Sequence, residues 1–485
     1  MALPLARVHA YVGTRERQVG VAGWITTEVD GLLSAVTGML REPVIRLGVT
    51  GLSHAGKTVF ITNMVANLLE RGRMPQLAAA TGGRIEAVYL QPQPDLTLPR
   101  FAYEDHLAAM TGDAPRWPQS TRAVSELRLS FRTRPLGWLA GMAGPRVLHV
   151  DIVDYPGEWL LDLSLLDQRF EDWSEGVLNR IAKRPEASRF MALARAEDGA
   201  LALDEPKTQA LAEAFTGYLV AARAAGWSDC TPGRFLLPGD LAGSPVLTFA
   251  PIPKPASTPR GCLWLEMQRR FEGYKDKVVR PFFRQHFAKI DRQIVLADVL
   301  GAIHQGPRAV EDLRRTMAEV LGAFRPGRNG WLDLLLGGRR VEKILFAATK
   351  ADHLHHTQHA KLTAIMEAML RDARARADFA GAETAAMAIA ALRCTVEEEI
   401  VRDGQVLEAV RGRLADGRQV AMYAGELPSD PARLLSPARE GAERWLNADY
   451  DLMQFAPARS GRRHGEGPPH IRLDRAAEFL IGDKL

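Results

Sequence analysis

Eight residues constrain this chain more than any others. The segment GLSHAGKT (51–58) satisfies G-x-x-x-x-G-K-[ST] at every fixed position. The β-rich run VIRLGVT (44–50) precedes it, and TVFITNMVANLLERG, with helical spacing closing at Gly72, follows it. Strand, glycine loop and helix in that order are the context that turns a chance match into a phosphate loop. Gly51 and Gly56 permit turns that a Cβ would block. The backbone N–H groups through Ser53, His54, Ala55 and on to Val59 then form an anion cradle, reinforced by the positive end of the helix. Lys57 supplies a full positive charge to the β- and γ-phosphates, and the Thr58 hydroxyl is suited to ligate Mg2+.

A second segment supplies the metal side. VLHVDIVDYPG ends an apolar strand on D-x-x-G, residues 154–157. Asp154, at the C-terminal end of a buried strand, sits where open α/β sheets bind ligands and can reach Mg2+ through a water. The Gly157 N–H can sense a γ-phosphate, since glycine allows close approach. Glu158 stands where Ras-like proteins often carry the Gln that orients the attacking water. Two readings stay open for it: an acceptor for that water, or a solvated carboxylate. Its charge beside a γ-phosphate is unfavourable unless offset, so slow intrinsic turnover is expected. In WPQSTR, Thr121 lies ahead of the strand-like LRLSFR as a γ-phosphate-sensing threonine should, with Ser120 as neighbour and Arg122 as a charge in cis. The competing reading of this Ser/Thr pair is a helix cap.

The base is addressed by a third segment. ILFAATKAD ends in Thr349, Lys350, Ala351 and Asp352, which fits [NT]-K-x-D after an apolar strand. An Asp there accepts from guanine N1–H and N2–H2, a donor pair that adenine lacks. The Lys350 stem can cover one face of the base. In IAALRCT, Ala391 or Leu392 can offer a backbone N–H to the guanine oxygen.

Strand-like runs alternate with helical ones, which predicts an α/β fold: a P-loop, Ras-like, mainly parallel sheet with helices on both faces and a large, mostly helical insertion. The texture divides the chain into a helical segment (1–42), a first core part (43–158), the insertion (159–290), a second core part (291–458), and a flexible basic loop with a C-terminal segment (459–485). With 62 basic and 58 acidic residues, the charge balance gives no basis for a nucleic-acid partner. Three scattered cysteines imply neither a zinc site nor a disulfide framework and fit a reducing compartment. The N-terminus lacks a signal-peptide core, and no run reaches the roughly 20 apolar residues that span a bilayer. A cytoplasmic protein without a transmembrane segment is expected, with any membrane contact peripheral.

With these pieces in order, the chain resembles the YcjX-like family of bacterial P-loop proteins. RLGVTGLSHAGKTVFIT, WPQSTR, DIVDYPGEW, DRQIVLADVL, ATKADH and HIRLDRAAEFLIGDKL carry the resemblance, from about residue 44 to the C-terminus. It implies a Ras-like GTP-binding core with helical insertions and GTP/GDP as substrate and product. The family is associated with stress responses and often described as predicted ATPases. The resemblance also suggests an inner-membrane protein partner and a position close to that membrane. His54 and Ala55 depart from the more polar pair expected there; the cradle should survive, since those positions contribute mainly N–H groups.

Four histidines, His353, His355, His356 and His359, follow Asp352. A metal site is one reading, with His355 and His359 a helical turn apart; a solvated helix start is the other. Trp159, Trp173 and Trp264 read as packing residues. Three functions compete: a slow GTP-dependent switch, an ATP-driven mechanoenzyme or chaperone, and a nucleotide-regulated scaffold whose insertion binds a partner.

Overall fold

The inner strands of the central sheet alternate between two buried faces, and that alternation fixes the architecture. The computed structural model describes residues 42–485 apart from 52–54, 119–122, 135–144, 324–340, 380–381, 403, 446–449 and 459–464. The N-terminal segment read as helical therefore lies outside the described residues up to residue 41, as do residues 459–464 of the basic loop. Val44–Leu485 forms one compact unit.

The sheet comprises β1 (Val44–Gly51), β2 (Ile85–Gln91), β3 (Ser125–Thr133), β4 (Arg146–Asp154), β5 (Arg292–Ala297), β6 (Lys343–Ala348) and β7 (Glu383–Ala388). Their spatial order is β2-β3-β4-β1-β5-β6-β7. β4, β1, β5, β6 and β7 pair in parallel, and β3 runs antiparallel to both of its neighbours. A second sheet of three antiparallel strands, β8 (Thr395–Arg402), β9 (Gln405–Arg413) and β10 (Gln419–Met422), follows in sequence.

The principal helices are α1 (Lys57–Glu70), α2 (Tyr103–Thr111), α3 (Phe170–Ile181), α4 (Glu205–Ala224), α5 (Leu263–Tyr274), α6 (Val299–Gln305), α7 (Pro307–Ala323), α8 (His359–Phe379) and α9 (Leu473–Ile481). On one face of the sheet, Ile45, Leu47, Val49, Ile294, Leu296, Leu345 and Ala347 pack with α1 and α9. On the other, Val295, Ala297, Ile344, Phe346 and Ala348 pack with α6, α7 and α8. The expected α/β fold, mainly parallel with helices on both faces, is what forms. None of the described helices is long and apolar enough to cross a membrane.

Between β4 and β5 the chain is helical, and its aromatic core joins the second face without a break. Trp173 stacks on Phe271 with ring centroids 4.9 Å apart. Phe170 meets Trp264 at 4.8 Å, so both tryptophans are packing residues. Two hydrogen bonds to one carboxyl lie inside this region. Asp162 is fully enclosed, accepting from the Tyr274 hydroxyl and from Gly233 N–H at 2.8 Å. Burial drives its carboxyl up from the ordinary 3.8 to about 7, against the lowering effect of those two donors.

The folded state therefore holds a proton that the unfolded chain has released between 3.8 and about 7. Stability contributed by this group falls as pH rises through that window, by at most roughly 4 kcal/mol. Asp162→Asn should flatten that part of the stability–pH profile, as read by urea unfolding at pH 5 and pH 8. An unchanged slope would place the titration elsewhere.

Candidate functional site

The loops that end β1, β4, β5, β6 and β7 gather at the C-terminal edge of the parallel sheet, where such sheets bind ligands. Register brings them together. Val49 on β1 lies opposite Asp154 on β4, and Ala297 on β5 lies opposite Ala348 on β6. Gly48 lets the centre close up: a Cβ there would meet Gln293 Oε1 at 2.3 Å. Gln293 Oε1 accepts from the Tyr155 hydroxyl at 2.6 Å, which fixes the turn after Asp154.

Between these loops lies a cavity of about 740 Å³. Ala55, Gly56, Lys57, Thr58, Val59 and Phe60 line one side. Gly56 caps α1 at φ 79°, a left-handed conformation that suits glycine. No side chain among the described residues caps that end of α1; its first N–H groups are the usual anion-binding set. The Lys57 ammonium donates to the Gly51 carbonyl at 3.1 Å, folding its charge back over the loop. Ser53 and His54 of this loop, and Thr121 with Arg122 of the candidate switch, lie outside the described residues.

Thr349, Lys350, Asp352 and His353 also line the cavity, with the loop that includes Ala391 and Leu392. Lys350 sits at φ 60°, strained for a residue with a Cβ, and its ammonium pairs with Asp298. Thr349 donates from both its N–H and its hydroxyl to the Ala297 carbonyl. Asp352 is 4% exposed, with Oδ2 accepting from Cys394 N–H at 2.9 Å and Oδ1 3.4 Å from His353 Nδ1. Burial raises its carboxyl, but His353 and the Cys394 N–H outweigh that and hold it below the usual range. It is therefore an ionised acceptor facing the cavity. Hydrogen bonds occupy the N–H groups of Ala390 and Arg393, to Ile471 and Pro469 carbonyls. Those of Ala391 and Leu392, between them, meet no other backbone carbonyl among the described residues.

Some expected site residues are not among those that line this cavity. Gly51 ends β1, and Asp154, 1% exposed, ends β4 beside it. Gly157 and Glu158 open a short helix, Gly157–Leu161. The solvated reading of Glu158 is overturned: it is 4% exposed and lies 3.0 Å from the Arg223 guanidinium. The solvated reading of the histidines fails for two of them. His353 and His359 are 5% and 3% exposed, and His359 Nε2 lies 2.8 Å from the Ala351 carbonyl, bracing the base loop from behind. His355 and His356 instead approach Glu397, with ligand atoms within 4.8 Å of one another. His359 has turned away from His355, so the pairing a helical turn apart does not form.

Three contributors went unread in the sequence. Asp298 follows the apolar β5 as Asp154 follows β4, a signal available in DRQIVLADVL; it caps α6 through Gly301 N–H at 2.9 Å and orients Lys350. Gln358 accepts from Leu427 N–H at 2.8 Å and donates to the Gly425 carbonyl at 3.1 Å, fastening the segment beyond β10 to the base loop. Arg223 carried no sequence signal, because only the folded insertion brings it to the cavity.

A glycine loop at a helix N-terminus, an aspartate-ended strand beside it and a T-K-x-D loop across one cavity define a P-loop α/β protein of Ras-like type. The chain belongs to the YcjX-like family, DUF463, whose model matches residues 45–485. It is similar to the "Ras-like GTPase YcjX" of Escherichia coli (strain K12), at 39% identity over 93% of this chain and 98% of that protein. It is also similar to the protein of the same name from Shewanella oneidensis (strain MR-1), at 33% identity over 91% of this chain and 94% of that protein.

Proposed function

We propose that this protein binds a Mg-bound guanine nucleotide in the cavity and hydrolyses GTP slowly, as a nucleotide-controlled switch. The observation that carries the reading is the juxtaposition of Lys57 and Asp352 on one cavity wall system. A phosphate counter-charge and an ionised acceptor for guanine line the same cavity. A nucleoside triphosphate fits a cavity of about 740 Å³, within the ordinary range for small-molecule sites. The names of the two relatives support the same reading.

Thr58 and Asp154 are hard oxygen donors close to the loop, the ligand type that Mg2+ takes; Thr121 is the proposed third. The ion would neutralise charge on the β- and γ-phosphates. Lys57 holds the phosphates, Gly157 senses the terminal one, and Ala391 or Leu392 receives the guanine oxygen. A role in a bacterial stress response beside an inner-membrane partner is the cellular part of this proposal. The adenine-using alternative is disfavoured by Asp352, whose carboxylate would face no donor pair.

Phosphate release from GTP and from ATP, each with Mg2+ and with EDTA, tests the reading. Slow release from GTP that requires Mg2+ is expected. Faster release from ATP than from GTP would replace it with the ATPase reading.

A further inference from the structure

Helix α4 of the insertion ends at the nucleotide cavity. Its last turn carries Arg223, and Arg223, Ala224, Ala225 and Gly226 line the same cavity as Lys57 and Thr58. The helix is held along its length: Phe215, Tyr218, Leu219 and Ala222 are buried in the insertion core. Its C-terminal end is held too. A Cβ on Gly226 would meet Gln305 Oε1 at 2.1 Å, so the chain leaving α4 is seated directly on the end of α6. The guanidinium is therefore delivered by a fixed element, and it lies 3.0 Å from Glu158, the residue after the γ-phosphate-sensing glycine.

We propose that Arg223 acts in cis as the arginine of GTP hydrolysis, with Glu158 as its resting partner. The inference rests on the GTP reading above. An enclosed carboxylate next to a terminal phosphate needs a cation, and among the described residues Arg223 supplies one, 3.0 Å away. Its side chain is 26% exposed against 6% for Glu158, so the guanidinium stands on the cavity side of the pair. A guanidinium has five N–H donors in a fork and can serve the carboxylate and a phosphate oxygen together.

In the reaction, water oxygen bonds to the γ-phosphorus while the bond from that phosphorus to the β–γ bridging oxygen breaks. The electron pair leaves on the β-phosphate, and the water proton ends on inorganic phosphate. Arg223 exchanges no proton; it balances the negative charge developing on the γ-phosphoryl and bridging oxygens. Arginines in this role contribute roughly 10³–10⁵ in rate.

The test uses the full chain in single-turnover GTP hydrolysis, with GDP and GTP affinities measured alongside. Arg223→Ala should slow hydrolysis by about 1,000-fold with GDP affinity changed less than about threefold. The wild type should form a complex of GDP with aluminium fluoride and Arg223→Ala should not, and the variant should recover part of its rate in added guanidinium at millimolar concentration. Wild-type hydrolysis by Arg223→Ala would overturn the assignment. A packing role alone would lower both affinities and leave the rate of bound GTP unchanged, which also overturns it. If Arg223→Ala does not fold, Arg223→Lys carries the test: a rate at least tenfold lower supports the role and an unchanged rate refutes it. Absence of GTP binding by the wild type would instead refute the underlying reading, and the affinity measurement separates the two.

Discussion

Asp352→Asn should weaken GTP binding about a hundredfold or more and shift preference to xanthine nucleotides. Two acceptor interactions with guanine N1–H and N2–H2 become one acceptor and one donor, so a donor faces a donor in an enclosed site. The loss is roughly 3 kcal/mol. Xanthine replaces the exocyclic amine with a carbonyl, which the new amide can serve. The carboxamide oxygen still accepts from Cys394 N–H, so the loop that Asp352 shares with Cys394 and Thr395 should survive. Fluorescent GTP and XTP titrations, with the melting temperature as a control, read the result. Unchanged GTP affinity would remove Asp352 from base recognition.

Lys57→Ala has the other large effect. Among the described residues the ammonium makes one hydrogen bond, to the Gly51 carbonyl, so folding should lose about 1 kcal/mol at most. Binding of a triphosphate should lose far more, because charge-assisted bonds to the β- and γ-oxygens vanish together: roughly 3 kcal/mol or more, two orders of magnitude in affinity. GTP should suffer more than GDP, which lacks the terminal phosphate. A variant retaining wild-type GTP affinity would separate the glycine loop from nucleotide binding.

What the sequence revealed was local, and what it concealed was tertiary. β1, α1, the end of β4 and the base loop could be read because each is a short apolar run joined to a motif whose chemistry demands its neighbours. β2 was hidden in a Pro- and polar-rich stretch. It is an edge strand, mostly half-buried, with an irregularity between Ile85 and Ala87, so it needs no strong apolar alternation. The β8–β10 sheet was missed for a related reason. TVEEEIVR has three consecutive glutamates, and Val396 and Val401 are exposed at 61% and 74%. Its one clear signal was the Asp-Gly pair at 403–404, a common hairpin turn. The burial of His353 and His359 could not be read from a polar run, since it depends on Phe455 meeting the His353 ring, centroids 5.2 Å apart, and on the Ala351 and Leu354 carbonyls meeting His359 Nε2. The Arg223–Glu158 pair joins residues 65 apart in sequence, with no motif to announce it.

The most direct test of a guanine-specific phosphate-loop cavity is competition against labelled GDP bound to the wild-type chain. Unlabelled GTP should displace it at near-stoichiometric concentrations, and ATP should fail even at about a thousandfold excess, the discrimination expected when an enclosed carboxylate is matched to a donor pair. Displacement by ATP as effective as that by GTP would contradict the account.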